Sequence, residues 1–226
     1  MSIKRKVLAA ATTLTITAGV TAAETPSANA ATLACGAPCV SVFSSELGTF
    51  AQPNFVEDVF GGDASVGQLV ALKQASNSDP SEDILGHPGS VSHFFDEGLV
   101  SAEVNSHYGT MPAAQLEYAP LGVPTDLCVG VASVAFQNEP LTLQPCSVPN
   151  LTVFILGAAD SAGFFPIINA STTDFDRPFA MSYPRHVDTT DEPLPPIRLR
   201  RLQFHGEEPS LRDTQLWGVH RGAILQ

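Results

Sequence analysis

Basic side chains are scarce in this chain: 11 Lys and Arg face 23 Asp and Glu, for a formal net charge of −12. That balance repels phosphate backbones and anionic lipid surfaces, so nucleic acid and membrane headgroups are excluded as partners. Amphipathic patterns of three helical turns are absent, which argues against a helical bundle. No segment after the first thirty residues is apolar over the ~20 positions that a membrane-spanning helix needs. The marks of catalysis are missing too. There is no Gly-x-Ser-x-Gly elbow, since Gly62-Asp63-Ala64-Ser65-Val66-Gly67 puts its first glycine one place too far from the serine. The histidines at 87, 93, 107, 186, 205 and 220 show no His-x-x-x-His or His-Glu-x-x-His spacing. Neither a metal nor a cofactor is implied. The adjacent acids Asp96/Glu97 and Glu207/Glu208 read as solvated pairs, and no carboxylate pair stands out for glycoside cleavage.

What is present begins with an export signal. Lys4, Arg5 and Lys6 form a basic head, an Ala/Thr/Val-rich stretch follows to about residue 23, and Ala28-Asn29-Ala30 supplies the small residues for cleavage before Ala31. Residues 1–30 are therefore expected to be a cleaved signal peptide, and the product to be secreted and extracellular. The leader takes Lys4, Arg5, Lys6 and Glu24, so 8 of the 11 basic and 22 of the 23 acidic residues remain, a net of −14. Residues 31–226 suffice for one core and are read as a single domain. All four cysteines, at 35, 39, 128 and 146, lie in that part, where oxidation is permitted. Three disulfide pairings are open, of which Cys35–Cys39 with Cys128–Cys146 is the local one. Asn150-Leu151-Thr152 and Asn169-Ala170-Ser171 satisfy the glycosylation sequon.

Glycine (17) and proline (18) punctuate the whole length, and short Val/Leu/Ile/Phe/Thr runs lie between them, the pattern of a many-stranded all-β barrel or sandwich. Strands are expected over 40–43, 55–60, 69–74, 115–118, 128–132, 141–144, 153–156, 165–169, 179–183, 197–202 and 215–219. Residues 94–104 fit either a short helix or a strand. Three segments repeat one order of features. Each opens with a strand (Val56-Glu57-Asp58-Val59, Val129-Gly130-Val131, Ala180-Met181-Ser182-Tyr183). Each continues with a strand built on a central leucine, Leu72, Leu143 or Leu199. Each ends on an apolar stop with glycine: Ile84-Leu85-Gly86, Ile155-Leu156-Gly157 and Leu216-Trp217-Gly218.

The stretch from Leu127-Cys128-Val129-Gly130-Val131 to Leu141-Thr142-Leu143-Gln144-Pro145-Cys146 resembles a repeat of the ricin-type β-trefoil lectins. In that family a Cys-x-Asp-Val strand is linked by a disulfide to a Leu-x-x-Cys strand. Gln215-Leu216-Trp217 matches the family's Gln-x-Trp motif. The resemblance implies a β-trefoil of three degenerate repeats, roughly 40–110, 111–160 and 161–222, with a loop insertion after the first. It also implies a Cys128–Cys146 bridge. In this register Leu85 and Leu156 take the tryptophan's place in the other two repeats.

The resemblance further implies where a sugar would sit. Members that bind one use an aspartate in the first strand, an aromatic ring after the central leucine and an amide before Gln-x-Trp. Repeat one offers Asp58, with Lys73 in the ring's place and Glu82 in the amide's. Repeat two has Gly130 and Gln144 at the first two places, and repeat three has Ser182 and Arg200. The expected function is that of a secreted, non-catalytic binding protein with a glycan as ligand and Asp58, Lys73 and Glu82 as candidate contacts. The alternative is a secreted protease inhibitor or other module binding an extracellular protein through loops 86–111 and 185–196. An extracellular hydrolase ranks below both.

Overall fold

The computed structural model describes residues 39–76, 78–183, 195–203 and 213–221. Twelve strands run through it, four to each third of the chain. The first four are β1 (Cys39–Ser44), β2 (Phe55–Val59), β3 (Val70–Gln74) and β4 (Ile84–Ser90). Then come β5 (Pro112–Tyr118), β6 (Leu127–Gly130), β7 (Thr142–Pro145) and β8 (Val153–Leu156). The last are β9 (Ile167–Asn169), β10 (Phe179–Ser182), β11 (Arg198–Arg201) and β12 (Trp217–Arg221). All pairings are antiparallel. β1, β4, β5, β8, β9 and β12 form a six-stranded barrel, closed where Phe165 and Trp217 exchange backbone hydrogen bonds of 3.0 and 2.9 Å. Closure leaves this barrel no free sheet edge. The hairpins β2–β3, β6–β7 and β10–β11 cap one end. This is a β-trefoil.

The register proves the internal symmetry. Leu72, Leu143 and Leu199 face Glu57, Val129 and Met181 across their hairpins. Each hairpin joins its barrel strand at an equivalent bridge: Phe43–Val56, Glu117–Cys128 and Ile168–Ala180. On the axis the hairpins are laced in a ring. Val70 N–H donates to Leu141 C=O (3.0 Å), Leu141 N–H to Ile197 C=O (2.9 Å), and Ile197 N–H back to Val70 C=O (3.0 Å). The three central leucines are at most 1% exposed and join one core. Each contributes about 2–3 kcal/mol by leaving water.

The same symmetry moves the tryptophan's counterparts. Trp217 pairs with Ser44, Ile84 with Tyr118 and Phe154 with Asn169, three equivalent barrel contacts. Ile84 and Phe154, both fully buried, therefore stand where Trp217 stands, and Leu85 and Leu156, half-exposed, do not. The shared glycine misled the alignment: it follows the core residue by one place in repeat three, two in repeat one and three in repeat two. Gly218 is set there by its neighbour, since a Cβ would lie 2.3 Å from Phe43 Cζ.

The insertion after the first repeat is folded. α1 (Val91–Asp96) and α2 (Ala102–Tyr108) are capped by Ser90 and Ser101, whose hydroxyls accept from His93 N–H (3.1 Å) and Val104 N–H (3.2 Å). Val91, Phe94, Val100 and Val104 bury a second core against the outer side of β5, β8, β9 and β10. The region left between helix and strand in the sequence thus holds parts of both helices. β4 also runs to Ser90, well beyond the short apolar stop read at residues 84–86. Cys128 and Cys146 form a disulfide that ties β6 to the end of β7. Cys35 lies outside the described residues, and with it the Cys35–Cys39 pairing. Among the described residues no helix is long and apolar enough to cross a membrane.

Candidate functional site

The polar cluster of repeat one grows from its hairpin and the turn that follows it. Asp58 and Lys73 sit on β2 and β3, and Asp79 starts a single 3-10 turn, Pro80–Glu82. The local sequence dictates that turn. Asp79 accepts from Ser81 N–H (3.0 Å) as N-cap, and Pro80 brings a preset φ to the first helical place. The result returns Ser81 and Glu82 beneath the hairpin. Ser81 Oγ donates to Asp58 and stands 2.5 Å from Asp79 Oδ1. Lys73 Nζ makes an ion pair with Asp79 and lies 4.0 Å from Asp58 Oδ2. Glu82, only 1% exposed, accepts Ser76 N–H with both oxygens at 2.9 and 3.0 Å.

The three candidates from the sequence, Asp58, Lys73 and Glu82, are thus brought together, with Asp79 and Ser81 added. Their depths differ. Lys73, Asp79 and Ser81 line an open pocket of about 440 Å³, together with Gly61, Gly62, Pro80, Tyr118, Pro120 and Leu121. Asp58 and Glu82 are buried beneath it, holding Ser81 and the Ser76 amide rather than facing the pocket. Leu121, 66% exposed at φ 56°, and Pro120 give the pocket an apolar wall. Tyr118 donates its hydroxyl to Gly62 C=O at 2.9 Å and fixes the opposite side.

Electrostatics follow from this packing. Burial, with Asp58 and Asp79 nearby, pushes the Glu82 carboxyl up to about 8, against the opposing Ser76 amide and Lys73. Burial also pushes Asp79 up, but hydrogen bonds from Lys73 and Ser81 outweigh it and hold this carboxyl below its ordinary value. The hydrogen bond to Asp79 raises Lys73 in turn. Carboxylate oxygens of Asp58, Asp79 and Glu82 come within 4.8 Å of one another, a donor set that could surround a cation. Here the Lys73 ammonium supplies the positive charge from within, and a protonated Glu82 removes one negative charge at neutral pH.

Among the described residues the other repeats have no such cluster. Gln144 is buried and donates to Thr142 Oγ1 at 2.9 Å. Arg200 donates to Asn138 Oδ1 at 3.0 Å across the hairpin cap. Gln215 fills the place of Glu82 in repeat three, accepting Gln203 N–H at 2.8 Å, as Glu82 accepts Ser76 N–H. This position therefore stitches the loop between third and fourth strands. Asp79 and Ser81 were missed in the sequence, although Asp-Pro-Ser-Glu carries a helix-start signature that could have marked them.

Elsewhere, His87 Nε2 lies 2.8 Å from Glu117 Oε2, and the His107 ring stacks on Phe175 at 4.1 Å. His186, His205, Glu207 and Glu208 are outside the described residues. Neither sequon is freely presented: Asn169 is fully buried and bonded to Leu151 C=O, and Asn150 Oδ1 accepts Ser101 N–H at 2.7 Å.

No protein-family model matches the chain, and no curated protein matches it either. Among solved structures it is similar to ThreeFoil, a designed 3-fold symmetric protein, with 11% identity and a TM-score of 0.49, over 82% of this chain and 98% of that one. It is also similar to a chain of a mosquitocidal holotoxin, with 10% identity and a TM-score of 0.50, over 81% of this chain. The match spans only 17% of the toxin chain, and at such identity the likeness is one of fold.

Proposed function

We propose that this protein is a secreted, non-catalytic β-trefoil that binds a glycan in the pocket of its first repeat. The observation that carries the reading is the composition of that pocket. A cation and an anion, Lys73 and Asp79, stand beside an apolar wall of Pro120 and Leu121. A pyranose needs this combination: hydroxyls that donate to a carboxylate or accept from an ammonium, and a C–H face that packs on apolar surface. The place is the one that the ricin-type resemblance assigns to sugar, with Lys73 and Leu121 doing what an aromatic ring does elsewhere. Asp58 acts from below by fixing Ser81, and Glu82 by fixing the loop. The basic-apolar leader, the Cys128–Cys146 bridge and the acidic charge support secretion.

The inhibitor reading needs residues 86–111 as a free loop. Phe94 and Val104, 3% and 2% exposed, instead tie that segment to the barrel. Its other loop, 185–196, falls mainly outside the described residues. A glycan-array screen of the oxidised protein tests the proposal, followed by titration calorimetry on any hit. Saturable binding that drops at least about tenfold in Asp79→Asn and Lys73→Met, the loss of one charged hydrogen bond each, is expected. A blank array, or binding that neither variant weakens, refutes it.

A further inference from the structure

Among the described residues the barrel is hollow at the end away from its hairpin cap, and the sequence explains why. The equivalences set by Trp217, Ile84 and Phe154 place six inward side chains in one layer: Val40, Ala114 and Phe165 on the odd positions, Gly86, Leu156 and Val219 on the even. Repeat three fills both of its places with aromatic or branched side chains, whereas repeats one and two fill one each, with Val40 and Leu156. Gly86 and Ala114, two register steps apart on the adjacent strands β4 and β5, contribute almost nothing. Val40 crowds the Gly86 position, where a Cβ would lie 2.9 Å from its Cγ1, and the space left beside Ala114 is a cavity of about 280 Å³ walled by all six barrel strands. It shares no lining residue with the repeat-one pocket.

Interiors pack without voids of this size, and an apolar cavity of ~150 Å³ already takes up benzene. This one is nearly twice as large, and its wall is apolar except at the rim, aliphatic side chains joining the Phe154 ring. There, among the described residues, the exposed Arg221 is the one charged side chain of the lining and makes no ion pair or side-chain hydrogen bond. We infer that the barrel end binds a small amphipathic anion, an alkyl carboxylate of about eight carbons, with its tail in the cavity and its carboxylate on Arg221. The tail fills the space that the short side chain of Ala114 leaves open. The guanidinium selects the anion on a protein whose net charge otherwise repels it.

Titration calorimetry with straight-chain carboxylates on the purified, oxidised protein tests this site independently of any glycan. Affinity should rise about fourfold per methylene from butanoate to octanoate and then level off as the cavity fills. Ala114→Val, which copies the side chain of Val40, should weaken octanoate, and Ala114→Leu should abolish its binding. Arg221→Gln should weaken octanoate about tenfold and leave octanol unchanged. Near-ultraviolet circular dichroism and the melting temperature of each variant show that the fold is kept. Arg221→Gln, on an exposed side chain, keeps the test valid should both core variants misfold. Absence of saturable octanoate binding overturns the inference. So does binding unchanged in the folded Ala114 variants, or loss of octanol and octanoate alike in Arg221→Gln.

Discussion

Replacing Glu57 should stabilise this protein, by an amount that grows with pH. Glu57 faces Leu72 across the first hairpin, where the other repeats have Val129 and Met181. It is 1% exposed, and neither carboxyl oxygen has a hydrogen-bond partner among the described residues. Burial pushes its pKa from 4.5 up to about 8. In the unfolded chain the carboxyl ionises as pH passes 4.5, whereas in the folded protein it stays protonated until about 8. Between those values ionisation lowers the free energy of the unfolded state and leaves the folded state unchanged. Stability therefore falls by about 1.4 kcal/mol per pH unit, which amounts to about 3 kcal/mol at pH 7. Glu57→Gln removes the titration at nearly constant volume, and Glu57→Met restores the apolar residue that Met181 already supplies. For a chain of this size 3 kcal/mol corresponds to roughly 6–12 °C in melting temperature. Thermal unfolding of both variants and the wild type at pH 4.5, 6, 7 and 8 provides the assay. The gain should be small at pH 4.5, rise through pH 7 and flatten above 8. Melting profiles of wild type and Glu57→Gln that stay parallel across this range would refute the reasoning.

Other outcomes follow from the same structure. Reducing or replacing Cys128–Cys146, which closes a loop over a sequence separation of 18, should cost about 3 kcal/mol, read from urea unfolding with and without dithiothreitol. Lys73→Met leaves Asp58 and Asp79 without their cation. Since Lys73 is 38% exposed, the cost should be about 1–2 kcal/mol at pH 7, and the gap should close as acid neutralises Asp79. Unfolding curves at pH 7 and pH 3 check both parts. Trp217, fully buried with its indole N–H on Met181 C=O at 3.0 Å, should emit at short wavelength and resist acrylamide. Trp217→Ala should cost about 3–5 kcal/mol in chemical denaturation.

The central leucines were legible because each lies in a short strand whose alternation survives degeneration of everything around it. The hairpins and the three-fold order came with them. The cores contributed by Ile84 and Phe154 were not, because the eye aligns glycines, whereas burial follows barrel register. Gly218 exists to admit the Phe43 ring, so its spacing from Trp217 has no reason to recur. The candidate acids and Lys73 were found by analogy with a sugar site, and their sequence positions do meet in space. That Asp58 and Glu82 support from below, while Asp79 faces outward, depends on a 3-10 turn whose direction no pattern of residue types encodes. Glu57 was invisible for a related reason. Val-Glu-Asp-Val offers two neighbouring acids to one strand, and only the register against Leu72 decides which of them is turned inward.

The ring that joins Val70, Leu141 and Ile197 makes each third of the chain a debtor and a creditor of the others. A two-repeat fragment would leave one donor and one acceptor stranded on the axis, each worth about 1–3 kcal/mol when buried unpaired. Since residues 70, 141 and 197 are distant in sequence, the ring on the axis closes only when the chain has wound completely round it. The consequence is temporal as well as structural. These three amides have no local opening that frees one alone, so they should exchange their protons together, at the pace of global unfolding.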